Sequence, residues 1–243
     1  MKTKKKPEII DVSIINPYES REVQKHMTKS INPFKKFHNI SVPFRGCLIG
    51  SSGSGKTATF LNICSVMSKT FNHIYIYTRA REPLYDYLRE QLDDTLLTIS
   101  YDLNDLRQFP EENYYGQSLV VIDDFCNEPN QQCIQELYIR GRKIAGGVSL
   151  LYLTQSYFKV PKLIRLQLNY IFILKVSGVR DLKMILSEYS LGASKEQLTK
   201  MYEYACNISG VFGHFLLIDL QAEQSKTYRK NFDEILNPST FIK

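Results

Sequence analysis

The string Gly50-Ser51-Ser52-Gly53-Ser54-Gly55-Lys56-Thr57 matches G-x-x-x-x-G-K-[ST] at every constrained position. Its chemistry follows from the residue types. Glycine lets the backbone curl so that successive N–H groups point at one anion, Lys56 reaches the outer phosphates, and the Thr57 hydroxyl can ligate Mg2+. The implied ligand is a nucleoside triphosphate. A second string, Ser118-Leu119-Val120-Val121-Ile122-Asp123-Asp124, ends an apolar run in two carboxylates. Asp123 suits the Mg2+ shell shared with Thr57, and Asp124 suits the orientation and deprotonation of a water that attacks the γ-phosphate. A third run ends Leu153-Thr154-Gln155-Ser156; Gln155 could report whether the γ-phosphate is present, or simply cap a helix or meet solvent. Arg140 and Arg142, with Lys143, form a basic cluster near the Gly146-Gly147 turn. Either arginine could reach a neighbouring subunit's nucleotide, line a solvated helix face or contact nucleic acid.

These groups can act together only if the runs that carry them are strands of one sheet with their carboxyl ends at a common edge. From residue 44 to residue 176 short β-rich runs alternate with segments of helical period, which predicts an α/β fold: a mostly parallel central sheet flanked by helices. The pattern predicts strands at 45–49, 73–78, 95–100, 118–123, 148–154 and 170–176, and helices at 57–68, 83–92, 130–143 and 161–167. Pro83 and Pro161 fall at first-turn positions, where the missing N–H costs nothing. Two more helices are predicted at 180–189 and 195–206, then a last strand at 214–220. The expected division is a basic N-terminal segment (1–43), an ATPase domain built on the phosphate loop (44–220) and a C-terminal tail (221–243).

With 243 residues, 43% of them hydrophobic, the chain can bury a full core, and one α/β domain is expected. Five cysteines without a C-x-x-C pair suggest neither a disulfide framework nor a zinc site, and a reducing compartment is expected. No apolar run approaches the roughly 20 residues of a membrane helix, so no membrane insertion is expected. The net charge of +6 resides ahead of the phosphate loop: residues 1–45 hold ten Lys/Arg against four Asp/Glu. A basic leader suits phosphate-backbone contact, or serves as a solvating tail.

Taken together, residues 50–57, Val121-Ile122-Asp123-Asp124-Phe125, Arg140-Gly141-Arg142 and Leu153-Thr154-Gln155-Ser156-Tyr157-Phe158-Lys159-Val160-Pro161 resemble the FtsK/HerA group of DNA-pumping ATPases. Within it they are most similar to the genome-packaging ATPases of large DNA viruses of the poxvirus and mimivirus type, and of virophages. The resemblance runs over roughly residues 40–235 and includes Tyr228-Arg229-Lys230-Asn231-Phe232. It implies a RecA-like, ASCE-type P-loop NTPase with ATP and Mg2+ as ligands. It also implies a homo-oligomeric ring, pentamer or hexamer, that threads double-stranded DNA into a preformed capsid at a capsid vertex. The place of action so implied is the host cytoplasm at virus factories, with the virion as a further site. Many members of the group carry Asp-Glu where this chain has Asp123-Asp124, so here a shorter acid must reach the water. Arg180 is a rival to Arg140 and Arg142 for the trans arginine.

Two other readings have distinct sequence requirements. A nucleoside or nucleotide kinase would place its acidic strand without an inserted strand and carry an arginine-rich lid, and no such lid is evident. A GTP-driven switch needs Asn-Lys-x-Asp, which does not occur. Another nucleic-acid-dependent ATPase, a helicase or a conjugation-type pump, shares the motifs.

Overall fold

In a computed structural model, the structure describes residues 20–26, 29–107, 109, 116–144, 147–207 and 213–241. The first six residues and Gly146 lie outside this set, so the basic run at the start of the chain has no structural account here. The strands are β1 (Arg45–Ile49), β2 (His73–Thr78), β3 (Leu97–Ser100), β4 (Ser118–Asp123), β5 (Val148–Thr154), β6 (Tyr170–Ile173), β7 (Leu216–Asp219), β8 (Tyr228–Lys230) and β9 (Glu234–Ile235). The helices are α1 (Arg21–His26), α2 (Lys35–His38), α3 (Lys56–Val66), α4 (Pro83–Gln91), α5 (Gln132–Arg140), α6 (Lys162–Arg165), α7 (Val179–Glu188) and α8 (Lys195–Cys206).

One sheet joins all these strands in the order β3-β2-β4-β5-β1-β6-β7-β8-β9. Pairing is parallel from β3 to β6 and antiparallel beyond. Alternation along each inner strand explains the two layers. Cys47, Ile49, Val120, Ile122, Leu150 and Tyr152 face the side covered by α5, α6, α7 and α8. Leu48, Leu119, Val121, Leu151 and Leu153 face α3 and α4, through Phe60, Ile63, Tyr85 and Leu88. Strands buried on both faces read as unbroken apolar runs, and each fully buried Leu or Ile contributes about 1.5–3 kcal/mol.

The differences from the sequence reading have local causes. Residues 94–96 form a 3-10 turn because Asp93 accepts from Thr95 N–H at 2.8 Å, so β3 starts at Leu97. The expected 130–143 helix begins at Gln132, whose N–H donates to Asn130 Oδ1 at 3.1 Å, and tightens into a 3-10 turn at Gly141–Lys143. Pro161 is the N-cap of α6, not a first-turn residue. β6 stops at Ile173, opposite Ile49, the last residue of β1; beyond that point Ser51 N–H of the loop still donates to Lys175 O at 3.0 Å. The sheet also continues past residue 220 through β8 and β9, strands that the sequence reading lacks. The buried Arg229–Asp219 pair, 2.9 Å apart, joins β8 to β7.

Ahead of β1, a neutral histidine docks the chain. His38 is fully buried; its Nδ1 accepts from Ile40 N–H at 3.0 Å, so Nε2 carries the proton and donates to Asn32 Oδ1 at 3.1 Å. Burial, reinforced by the charges of Arg229 and Lys35, lowers the His38 pKa from 6.5 to about 4. The unfolded chain therefore protonates this ring before the folded chain does. Stability is full above pH 6.5 and falls as pH drops from there toward about 4, with a slope of at most about 1.4 kcal/mol per pH unit. In urea unfolding at pH 7 and pH 5, the wild type should lose about 1–2 kcal/mol more than His38→Gln.

Candidate functional site

β1 ends at Ile49 and the chain leaves the sheet held on both sides. Gly50 N–H donates to Thr154 O of β5 at 3.1 Å, and Leu174 N–H donates to Ile49 O at 2.8 Å. A Cβ at Gly50 would stand 2.3 Å from Ser54 Oγ and 3.0 Å from Leu174 Cβ, so the close approach demands glycine. Gly53 and Gly55 have φ of 72° and 91°, in the left-handed region where a side chain is strained. Gly55 is the N-cap of α3, so the loop runs directly into the free amides of the helix N-terminus. Ser51 is tied away from the loop: its Oγ accepts from Ser177 N–H and pairs with Ser177 Oγ, both at 2.7 Å. Ser52 is exposed, and Ser54 Oγ is buried without a partner.

The Lys56 ammonium arches back over this loop, donating to Gly50 O at 3.1 Å and Ser51 O at 3.2 Å. Burial lowers its pKa, and the charges of Asp123 and Asp124 oppose that shift. The loop and the acidic pair therefore lie within electrostatic reach, although β5 separates their strands. Asp123 ends β4 opposite Leu153, while Thr154 stands opposite Ile49. Burial raises the Asp123 pKa; a hydrogen bond from Tyr85 Oη to Oδ2 at 2.7 Å lowers it, the Asp124 charge raises it, and Lys56 lowers it. Asp124 has φ of 61°, a conformation that aspartate tolerates better than most residues. That reversal breaks the strand alternation just after Asp123.

Thr57 in the first turn of α3 and Asp123 supply one hydroxyl and one carboxylate, hard oxygen donors that suit Mg2+ when phosphate and water oxygens complete its octahedron. Among the described residues, no group of three His, Cys, Asp or Glu could hold an ion by itself. The curled amides, the positive-φ glycines and the orphaned Ser54 hydroxyl fit a phosphate-bearing ligand.

Gln155 is exposed, one residue past β5, which places it between the loop after β1 and the carboxylates after β4. Its segment is clamped from α7: Asp181 Oδ1 accepts from Phe158 N–H at 2.7 Å and from Ser156 Oγ at 3.1 Å. Arg140 and Arg142 do not join this group. α5 runs back from the carboxyl end of β4 to the amino end of β5, so exposed Arg140 and the Gly141–Lys143 turn stand at the opposite sheet edge. The Arg142 side chain lies outside the described residues. Arg180, in the first turn of α7, is at the loop's edge, with its guanidinium 3.6 Å from the Phe158 ring centroid.

Sequence reasoning missed Tyr85, Ser177, Asp181 and the Arg79–Glu128 ion pair beside Phe125. Each acts through a partner 23 to 126 residues away, and no local motif encodes such a contact.

The profile of the family described as "Poxvirus A32 protein" matches residues 32–218. The vaccinia virus (strain Copenhagen) DNA packaging protein OPG160 is 24% identical over 181 residues, which cover 69% of this chain and 66% of that protein. The chain thus spans about two thirds of the length of that relative. The genome packaging NTPase B204 of Sulfolobus turreted icosahedral virus 2, in complex with ATP-gammaS, superposes with a TM-score of 0.54 at 18% identity, covering 81% of this chain and 100% of that one. EssC (ATPases 2 and 3) from Geobacillus thermodenitrificans superposes with a TM-score of 0.53 at 14% identity, covering 81% of this chain and 40% of that one. The chain thus shares with that genome packaging NTPase a mostly parallel central sheet flanked by helices.

Because, among the described residues, Lys56 donates its hydrogen bonds to its own loop, Lys56→Ala should fold normally by circular dichroism. Binding of a fluorescent ATP analogue, read by anisotropy, should weaken at least about tenfold, the worth of one lost charge-assisted bond.

Proposed function

The chain belongs to the Poxvirus A32 protein family, and from that membership and the cleft just described we propose that it is an ATP-driven translocase that packages double-stranded DNA into a preformed capsid. The observation that carries the reading is the convergence of Lys56 with Asp123 and Asp124 across β5 in a chain of this family. The relatives' names, a DNA packaging protein and a genome packaging NTPase, support the same cargo. The EssC likeness, to a protein named for its ATPase units, supports ATP as the fuel, and the DNA cargo rests on the family.

In this reading the backbone amides of residues 50–57 cradle the phosphates of ATP. Lys56 exchanges its bonds to Gly50 O and Ser51 O for the outer phosphates. Thr57 and Asp123 hold Mg2+, which when bound neutralises charge on those phosphates. Asp124 orients the attacking water and takes its proton as the oxygen bonds to the γ-phosphorus and the β–γ bridging P–O bond breaks. Gln155, standing between the two halves, reports whether the γ-phosphate is present and passes that state to the segment clamped by Asp181.

Arg140 and Arg142 follow α5 to the far edge of the sheet, so an arginine of this pair that acts on ATP does so at a cleft on another subunit, which fits a homo-oligomeric ring, pentamer or hexamer. The capsid vertex is the docking partner, and the site of action is the host cytoplasm at virus factories and the virion. Among the described residues no helix is long and apolar enough to cross a membrane.

ATP turnover measured with and without duplex DNA, beside the mass of the assembled species, tests the reading. Duplex should stimulate turnover several-fold in an oligomer, and an active oligomer indifferent to DNA would count decisively against translocation. Asp124→Asn should retain ATP while turnover falls by about two orders of magnitude or more. Mixing inactive Lys56→Ala and Arg142→Ala chains should restore part of the activity if the arginine acts in trans; no recovery assigns that role to Arg140, Arg180 or none.

A further inference from the structure

Tyr85 touches both halves of the cleft from an element that carries no motif. It sits on α4, in the crossover between β2 and β3, and is only 2% exposed. Its ring meets Phe60 of α3 edge-on, with centroids 6.1 Å apart and planes at 72°. α3 is the helix that opens with Lys56 and Thr57. A buried ring at this place needs no hydroxyl for packing, yet the hydroxyl is present and donates to Asp123 Oδ2 at 2.7 Å. A buried hydroxyl must find a partner, and here the partner is the strand-end carboxylate. Asp123 Oδ1 has no hydrogen-bond partner among the described residues.

We propose that Tyr85 is a positioning residue for the metal-holding carboxylate: by occupying Oδ2 it leaves Oδ1 as the oxygen offered to Mg2+, and by packing on Phe60 it sets that oxygen relative to Thr57. The inference rests on the reading of Asp123 as a metal carboxylate. Partners of metal ligands orient the ligand and tune the site, and losing one costs about 10–100-fold in metal affinity or activity. Tyr85 is buried between Phe60 and Asp123 and is not part of the 50–57 loop, so its removal should spare metal-free nucleotide binding.

The test is binding of a fluorescent ATP analogue to the full chain in EDTA and across a Mg2+ titration, with Mn2+ binding followed by electron paramagnetic resonance. Tyr85→Phe should bind the analogue in EDTA within about twofold of wild type, while half-saturating Mg2+ rises about tenfold. Turnover lost at low Mg2+ should return at high Mg2+. In an Asp123→Asn background Tyr85→Phe should add no further metal defect. Tyr85→Met, which keeps an apolar side chain against Phe60, gives the same comparison if phenylalanine loosens α4. Unchanged Mg2+ half-saturation in a folded variant, or an equal loss of binding in EDTA, would overturn the positioning role. A wild-type chain whose nucleotide binding gains nothing from Mg2+ would overturn the metal reading of Asp123 itself, which is a separable result.

Discussion

β5 is hydrogen-bonded on one side to β1 and on the other to β4, and the candidate cleft depends on that placement. Its register sets Thr154 beside Ile49 and Leu153 beside Asp123, so three chain segments leave the sheet at one level. Parallel pairing is the cause, because it sends every carboxyl end to the same edge and leaves the crossovers to return on the faces. The cost is long-range assembly, since the strands that meet here are far apart in sequence. Burial on both faces stabilises the arrangement, and the residues of β1, β4 and β5 that face the two helical layers are almost completely shielded from solvent.

At the mouth of that edge, desolvation and charge oppose each other. Burial lowers the pKa of Lys56 and raises that of Asp123, each toward its neutral form, while their mutual attraction favours the ions. Local partners moderate the conflict: two loop carbonyls for the ammonium and the Tyr85 hydroxyl for the carboxylate. Such an arrangement is preorganised for an anionic ligand, since the groups are partly dehydrated and aimed before anything binds. The orphaned Ser54 hydroxyl and the positive-φ glycines belong to the same pattern of local cost held in place by a rigid sheet.

The arginines show how topology divides labour. A crossover helix must carry its C-terminus to the amino edge, so the cluster at Arg140 stands away from its own chain's cleft. Arg180 lies at the cleft's edge but is stacked on Phe158, itself held by Asp181. The B204 packaging NTPase and EssC share this fold with the chain, so the sheet is a common framework while what each protein acts on depends on surfaces that vary around it.

Local physics made much of this legible before any coordinates. Apolar runs with turn residues at their ends placed β1, β2, β4 and β5, because strands buried on both faces admit little else. The glycine spacing implied the loop, since its backbone geometry excludes side chains at those positions. The 3-10 turns, the early end of β6 and the added strands β8 and β9 were not legible, because they follow from side-chain caps and from pairing with distant neighbours. The same holds for Tyr85 against Asp123, Ser177 against Ser51 and Asp181 against the segment after β5. Residue type and spacing by themselves determined which chemistry the chain carries, because that is a property of functional groups. Only tertiary structure decided which groups share a dielectric environment and a hydrogen bond, because those energies depend on through-space distance and burial, which the order of residues along the chain does not state.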